Sequence, residues 1–228
     1  MTEQGDTATG ARGRDTTSSS LRSEAPGTDP GTEVRSRKAE QSDRTRATLL
    51  AVARSLFAEL GYAGTSTEEV VHRAGVTRGA LYHHFRDKRE LFEAVFVDIQ
   101  AETRQHIRAA SNSRSDRWER FRAGFDEYLN RSMDPATQRI TLIDAPAVLG
   151  WDRWRELDYT LDMLQNAIAG MQTDGVVSAA LPVDELAHLL RGVANEASHM
   201  IVSSADAPAE RRRVGEVLGV ILEGLRTH

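Results

Sequence analysis

Residues 67–88 read TEEVVHRAGVTRGALYHHFRDK: a short apolar stretch, a glycine and a second short apolar stretch. That is the spacing of a helix-turn-helix. Thr67 is expected to cap the first helix. Glu68 and Glu69 fall in the turn where the helix dipole favours carboxylates, and Val70, Val71 and Ala74 supply the buried face. Gly75 ends this helix, because glycine takes a left-handed backbone at no steric cost; Val76 then enters the core and Thr77 caps the next helix. In the second helix Leu81 and Phe85, four apart, point inward, which leaves Arg78, Gly79, Ala80, Tyr82 and His83 facing out. An arginine among small residues reaches base edges in a DNA major groove, while a tyrosine hydroxyl and Lys88 reach phosphates.

Upstream of this stretch, Ser42 or Asp43 is expected to start a helix. Leu49, Ala53, Leu56, Phe57 and Leu60 recur there at three- and four-residue steps before Gly61 stops it. Residues 43–86 then make a three-helix unit that is marginal alone and has to lean on the helices downstream of it. Residues 1–41 are rich in Thr, Ser, Gly, Asp and Pro, with Leu21 and Val34 the only sizeable aliphatics after Met1, and are expected to be a disordered extension. Two readings of its basic end, Arg35, Arg37 and Lys38, stay open: a solvated tail, or an arm that enters a minor groove.

The run AGVTRGALYHHF followed by DKRELF resembles the DNA-binding segment of the TetR family of bacterial transcription regulators. Small-Gly-Val-cap, Leu-Tyr-x-His-Phe and Lys-x-x-Leu positions occur without a gap, although Val71 stands where the family usually has alanine. The resemblance covers roughly residues 45–92. It implies an all-α protein with a DNA-binding head over 42–90 and a ligand-binding and dimerisation domain over 91–228. It also implies a homodimer, most simply a repressor, that binds a double-stranded palindromic operator and is released by a small-molecule effector. Together with the helix geometry it assigns Thr77, Arg78, Gly79, Ala80, Tyr82 and His83 to DNA, with Thr65, Thr67 and Lys88 on phosphates.

Composition agrees with an all-helical soluble chain: 228 residues, 39% hydrophobic, six prolines and no cysteine, hence no disulfide framework and no thiolate metal site. No apolar run reaches the roughly eighteen residues of a membrane span and no signal-like segment opens the chain, so a cytoplasmic, nucleoid-associated protein with no membrane partner is expected. The net charge of −5 divides into +2 over residues 42–90, −6 over 91–228 and −1 over 1–41, a slightly basic head on an acidic body.

Residues 88–110 read as a long helix running from head to body, with Leu91, Val95, Ile99 and Ile107 along one stripe; by the resemblance it is a lever between them. Beyond Trp118 the pattern stays helical, with breaks at 133–135, 150, 174–175, 181–182 and 207–208, giving about nine helices in all. Trp154, Leu157, Leu161, Leu164, Ile168 and Met171 stripe a single seventh helix. No nucleotide-binding or hydrolase motif occurs, so no enzyme, catalytic residue or cofactor is expected. The adjacent His83 and His84 diverge by about 100° on a helix and are not read as a metal site.

The stripes of residues 117–173 suggest a mostly apolar effector cavity built from Phe125, Tyr128, Trp151, Trp154 and Met163, with Asp144, Asn195 and His199 as its polar groups. Asp144 and Asp158 leave room for a cationic group on that effector. For Asn195 and His199 the spacing does not choose between a cavity and a polar face or dimer contact. Gly215 and Gly219 each cost about 1 kcal/mol in a helix, and close approach of another helix would compensate. The expected dimer platform is residues 183–204 and 208–226, with Val193, Ala197, Gly215, Leu218, Gly219 and Leu222 at the interface; a buried crossing within the chain is the other reading. The rivals to a ligand-responsive repressor are an interaction module that no longer binds DNA and a ligand-independent activator.

Overall fold

The computed structural model describes residues 30–227, with side chains from Lys38 onward. Helix α1 covers Pro30–Gly64 and bends at Gly61, whose φ of 72° lies in the left-handed region. It begins upstream of Ser42, so residues 30–41, expected as disordered extension, are helical in backbone. Residues 33–41 contain neither glycine nor proline and are mostly good helix formers, and Pro30 suits a first turn because its missing N–H has no partner to lose. Poor apolar content argues against burial there, not against helix. The rest of the extension and the side chains of Arg35 and Arg37 lie outside the described residues.

Helices α2 (Thr67–Ala74) and α3 (Arg78–His84) form the helix-turn-helix. Gly75 holds φ 63° and donates to His72 O at 3.2 Å; Thr77 Oγ1 accepts from Ala80 N at 3.1 Å. The cap of α2 is Ser66 rather than Thr67: Ser66 is the extended residue and its hydroxyl accepts from Glu69 N at 3.1 Å, so Thr67 is already the first helical residue. Asp87 caps α4 (Lys88–Asn112) by accepting from Glu90 N at 2.8 Å.

The body comprises α5 (Arg117–Arg131), α6 (Pro135–Thr137), a π-helical segment (Gln138–Asp144), α7 (Ala145–Leu149), α8 (Trp151–Glu156), α9 (Thr160–Thr173), α10 (Val183–Ser203) and α11 (Ala207–Glu223). The widened π turn immediately precedes Pro146, which has no N–H to donate to Leu142; instead Ala145 N reaches back to Ile140 O. The single helix expected over 154–171 is broken at Leu157–Tyr159. Asp158 turns back to accept from Thr160 N at 3.0 Å and Thr160 Oγ1 at 2.5 Å, a local alternative to the helical ladder. Among the described residues the only non-helical pairing is an isolated bridge between Val177 and Arg226, and no helix is long and apolar enough to cross a membrane.

Two apolar cores result. One joins α1–α4 to Ile140, Ala145, Leu149 and Leu157 of the body; the other packs α5, α9, α10 and α11 around Phe121, Phe125, Ile168, Met171, Leu190 and Leu218. The first three helices therefore do lean on the body, and polar contacts mark the same seam. Tyr62 N donates to Asp144 Oδ2 at 2.8 Å. Arg89 donates to the carbonyls of Val148 and Leu149 at 3.2 and 3.1 Å, and Arg153 pairs with Glu93.

The turn at Gly75 yields a direct check. Nothing stands within 4 Å of where its Cβ would be, so only backbone strain opposes a side chain. Gly75→Ala is expected to cost about 1–2 kcal/mol and Gly75→Asn distinctly less, since asparagine tolerates the left-handed region; urea unfolding of the two variants measures both.

Candidate nucleic-acid interface and effector cavity

The exposed face of α3 is set by its buried one. Leu81 and Phe85 are 0% and 2% exposed, so Arg78, Gly79, Tyr82 and His83 stand out in solvent, with Thr77 at the entry and Ala80 half-buried. The Arg78 side chain is 72% exposed. Its guanidinium lies 5.4 Å from the centre of the Tyr82 ring and its Nη1 is 3.8 Å from Glu68 Oε1, a loose pair of the kind that water screens. Thr67 Oγ1 is 3.5 Å from Tyr82 Oη, which brings the start of α2 and the outer face of α3 to one surface. His83 and His84 rings meet edge to face at 5.2 Å, and His84 is held below the ordinary histidine range by burial first and by His83 and Arg46 next.

Two residues assigned to phosphates are placed differently from that surface. Thr65 is 2% exposed and its hydroxyl donates to Gly61 O at 2.9 Å, so its side chain closes the bend at the end of α1 and does not face outward. Lys88 is half-buried, with Nζ donating to Tyr62 O and Thr65 O at 2.9 Å each and lying 4.3 Å from the Tyr62 ring centre. Two of its three N–H directions are thus used inside the protein and one is left.

In the body, α4, α5, α9 and α10 line a half-open cavity of about 90 Å³ that includes Ile107, Phe121, Phe125, Tyr128, Met163 and Arg191 in its walls. Of the residues expected there, Phe125, Tyr128 and Met163 are present. Asn195 accepts from Tyr128 Oη at 2.5 Å and, with Trp154 and Asp158, lines a smaller polar cavity that shares the Tyr128 wall. Burial first, then the charge of Asp158, pushes the Tyr128 phenol well above its ordinary range, so it is a neutral donor. Asp144, Trp151 and His199 are not in either wall. Asp144 is held at the seam by Tyr62 N and Arg139, Trp151 is 59% exposed, and His199 is exposed on α10. Sequence reasoning passed over Arg191, which a charged residue amid Leu189, Leu190 and Val193 could have flagged.

Among the described residues nothing covers the outer face of α10 and α11, which is largely apolar with Glu196, Glu210 and Arg213 along its groove. Leu189, Val217 and Val220 are 69%, 61% and 75% exposed, and Val193, Ala197, Met200, Val217 and Ile221 border a groove of about 330 Å³. Of the residues expected at a dimer interface, Ala197, Leu218 and Leu222 are at most 4% exposed and belong to the chain's own core. A Cβ on Gly215 would crowd Nη1 of Arg211 of the same chain, whereas one on Gly219 would sit at an ordinary contact distance, 3.8 Å, from Nη2 of Arg122, so only Gly215 answers to a neighbouring arginine.

Comparison with known proteins adds independent support. Residues 49–95 match the family described as bacterial regulatory proteins, tetR family, and residues 118–225 match the tetracyclin repressor-like C-terminal domain. A crystallised TetR-family transcriptional regulator from Pectobacterium atrosepticum is 38% identical, with a TM-score of 0.72 over 83% of this chain and 97% of that one. A TetR-family regulator from Agrobacterium tumefaciens, 17% identical, shares the fold with a TM-score of 0.64 over 82% of this chain and all of its own. The transposon Tn10 TetC protein of Escherichia coli is 28% identical over 70% of this chain and 81% of its own length. The regulator TtgR of Pseudomonas putida is 39% identical over 35% of this chain and 38% of its own length. Both the helix-turn-helix and the helical body are thus accounted for by one group of proteins, and the chain belongs to the TetR family of bacterial DNA-binding transcriptional regulators.

Proposed function

We propose that the protein is a homodimeric repressor that leaves a palindromic operator when a small apolar molecule enters the cavity between α4, α5, α9 and α10. The observation that carries this reading is the reach of one helix. Helix α4 supplies Ile107 and Ser111 to the cavity wall and Lys88 and Arg89 to the seam with the head, so a ligand that shifts its far end acts on the placing of α3. A ligand that prefers the state with wrongly spaced heads lowers operator affinity by the same factor by which DNA lowers its own, typically about 1–3 kcal/mol. Selection of bound DNA from a random pool supplies the operator. Compounds found by the fluorescence of Trp118, whose ring centre is 5.6 Å from that of the cavity residue Phe121, are then expected to release it. Hits that all leave operator binding unaltered would reduce the body to a dimer platform.

On the DNA side, the exposed and weakly paired Arg78 is the base reader and Tyr82, with Thr67 beside it, a phosphate contact. Arg78→Ala is expected to cost about 1–3 kcal/mol and to relax preference at one symmetric operator position, whereas Tyr82→Phe weakens operator and scrambled DNA alike. Titration of both variants against both DNAs separates the roles.

Dimerisation is assigned to the exposed α10–α11 face, because two recognition helices must be held about one turn of DNA apart and this face gathers Leu189, Met200, Val217, Val220 and Ile221, half of the large exposed hydrophobics among the described residues. Val217→Glu and Val220→Glu are each expected to yield a folded monomer in sedimentation at micromolar concentration. Gly219→Leu, directed at the chain's own Arg122, is expected to leave the dimer in place; a monomeric wild type would end the proposal.

A further inference from the structure

The effector cavity has one charged residue in an otherwise neutral wall, Arg191. Three neutral polar groups in that wall already donate within the protein: Ser111 Oγ to Arg120 O at 3.0 Å, Tyr128 Oη to Asn195 Oδ1 at 2.5 Å, and Thr160 Oγ1 to Asp158 Oδ1 at 2.5 Å. Arg191 is under-used by contrast. Its Nη1 is 3.5 Å from Asp158 Oδ2, an ion pair without a hydrogen bond, and its Nη2 donates to His188 Nδ1 at 3.3 Å. A guanidinium has five N–H groups; with the side chain 11% exposed and only the His188 bond made, several of them are left to take an acceptor that enters the cavity. In the adjoining polar cavity Arg131 Nε is buried with no partner.

We infer that the effector is a small carboxylic acid: an apolar body lying against Phe125, Met163 and Leu164, with a carboxylate that takes the free N–H groups of Arg191. A carboxylate supplies the two acceptor oxygens that match a guanidinium fork, and the pairing is strong where water is excluded. The acidic groups that left room for a cationic effector are both engaged, Asp144 with Tyr62 N and Arg139, Asp158 with Thr160 and Arg191. The inference rests on the reading of this cavity as the effector site.

Calorimetry of the full chain with octanoate, octan-1-ol and octylamine tests it. The three share an apolar tail and differ in the head. Octanoate is expected to bind about tenfold tighter than the alcohol, with the amine weakest. Arg191→Met should abolish that preference, and Arg191→Lys should retain part of it. Asp158→Asn removes the competing carboxylate but keeps an acceptor for Thr160, so it should tighten octanoate and leave the alcohol unchanged, a gain that damage to the fold does not produce. If Arg191→Met folds poorly, Asp158→Asn decides alone. Alcohol or amine binding as tightly as octanoate, with Ala167→Phe abolishing it by filling the cavity, would overturn the carboxylate inference and leave the cavity reading standing. No binding by any of the three, or binding that survives Ala167→Phe, would overturn both.

Discussion

Phe57, Tyr62 and Phe92 meet where α1 ends and α4 begins, with Phe92 edge-on to both other rings at 5.1 and 5.2 Å. Lys88 closes the cluster from above, its ammonium over the Tyr62 ring and bonded to the carbonyls of Tyr62 and Thr65. Phe57 and Phe92 are fully buried, and removing either ring would cost about 3–5 kcal/mol. A three-helix unit has little stability to spare against a loss of that size. The recognition helix is held in a fixed attitude because α2 and α3 pack on the end of α1 that this cluster pins, and the cluster draws Phe92 from the helix that continues into the body.

That arrangement makes the seam two-sided. Helix α4 spans twenty-five residues, about 37 Å at 1.5 Å per residue, and enters the body as a rigid rod. The π segment and α7 come back to the head from the body side, through Asp144 on the Tyr62 amide and through the Val148 and Leu149 carbonyls on Arg89. A displacement of α4 relative to residues 138–149 must therefore break or re-form hydrogen bonds at both ends of the same cluster. On the proposed reading this is how a small volume change in the cavity becomes a change in head spacing, since packed interiors switch between arrangements more readily than they deform continuously.

The helix-turn-helix was legible in the sequence because what makes it is local: a glycine where φ is positive, a threonine three residues before the amide it caps, and Leu81 and Phe85 one turn apart. Where local signals compete, the sequence was ambiguous; Ser66 and Thr67 are both capping residues, and only the extended backbone at Ser66 decides between them. Long-range partners could not be read. Nothing near Lys88 in the chain announces carbonyls more than twenty residues upstream, and nothing near Asp144 announces the Tyr62 amide. For the cavity, Phe125, Tyr128 and Met163 followed from helical period, whereas the stripe drawn through Trp154 failed because Asp158 breaks the helix and leaves Trp151 and Trp154 on the head side of the break. The outward face of α11 was legible too: Val214, Val217, Leu218, Val220, Ile221 and Leu222 spread over more than half of the helix's circumference, wider than one packed neighbour covers, and the two apolar terminal helices are what led to the expected dimer platform.

Gly215 of α11 shows why the outward apolar face is where it is. Gly215 clears the space along which Arg211 lies, and Arg211 reaches across to α5, donating from Nε to Asn130 Oδ1 at 3.1 Å and from Nη2 to Asp126 O and Oδ1 at 3.0 and 3.1 Å. The Arg211 side chain is 16% exposed while that of Asp126 is 60% exposed, so the clamp holds by its three hydrogen bonds and not by exclusion of water. It sets the rotation of α11 about its own axis, which turns Val214, Leu218 and Leu222 inward and leaves Val217, Val220 and Ile221 out. Helix α5 presents Asp126 and Asn130 to this clamp and Phe121, Phe125 and Tyr128 to the cavity. One helix thus sets both the cavity wall and the attitude of the outward apolar face, so the volume inside the body and the orientation of that face are not independent quantities.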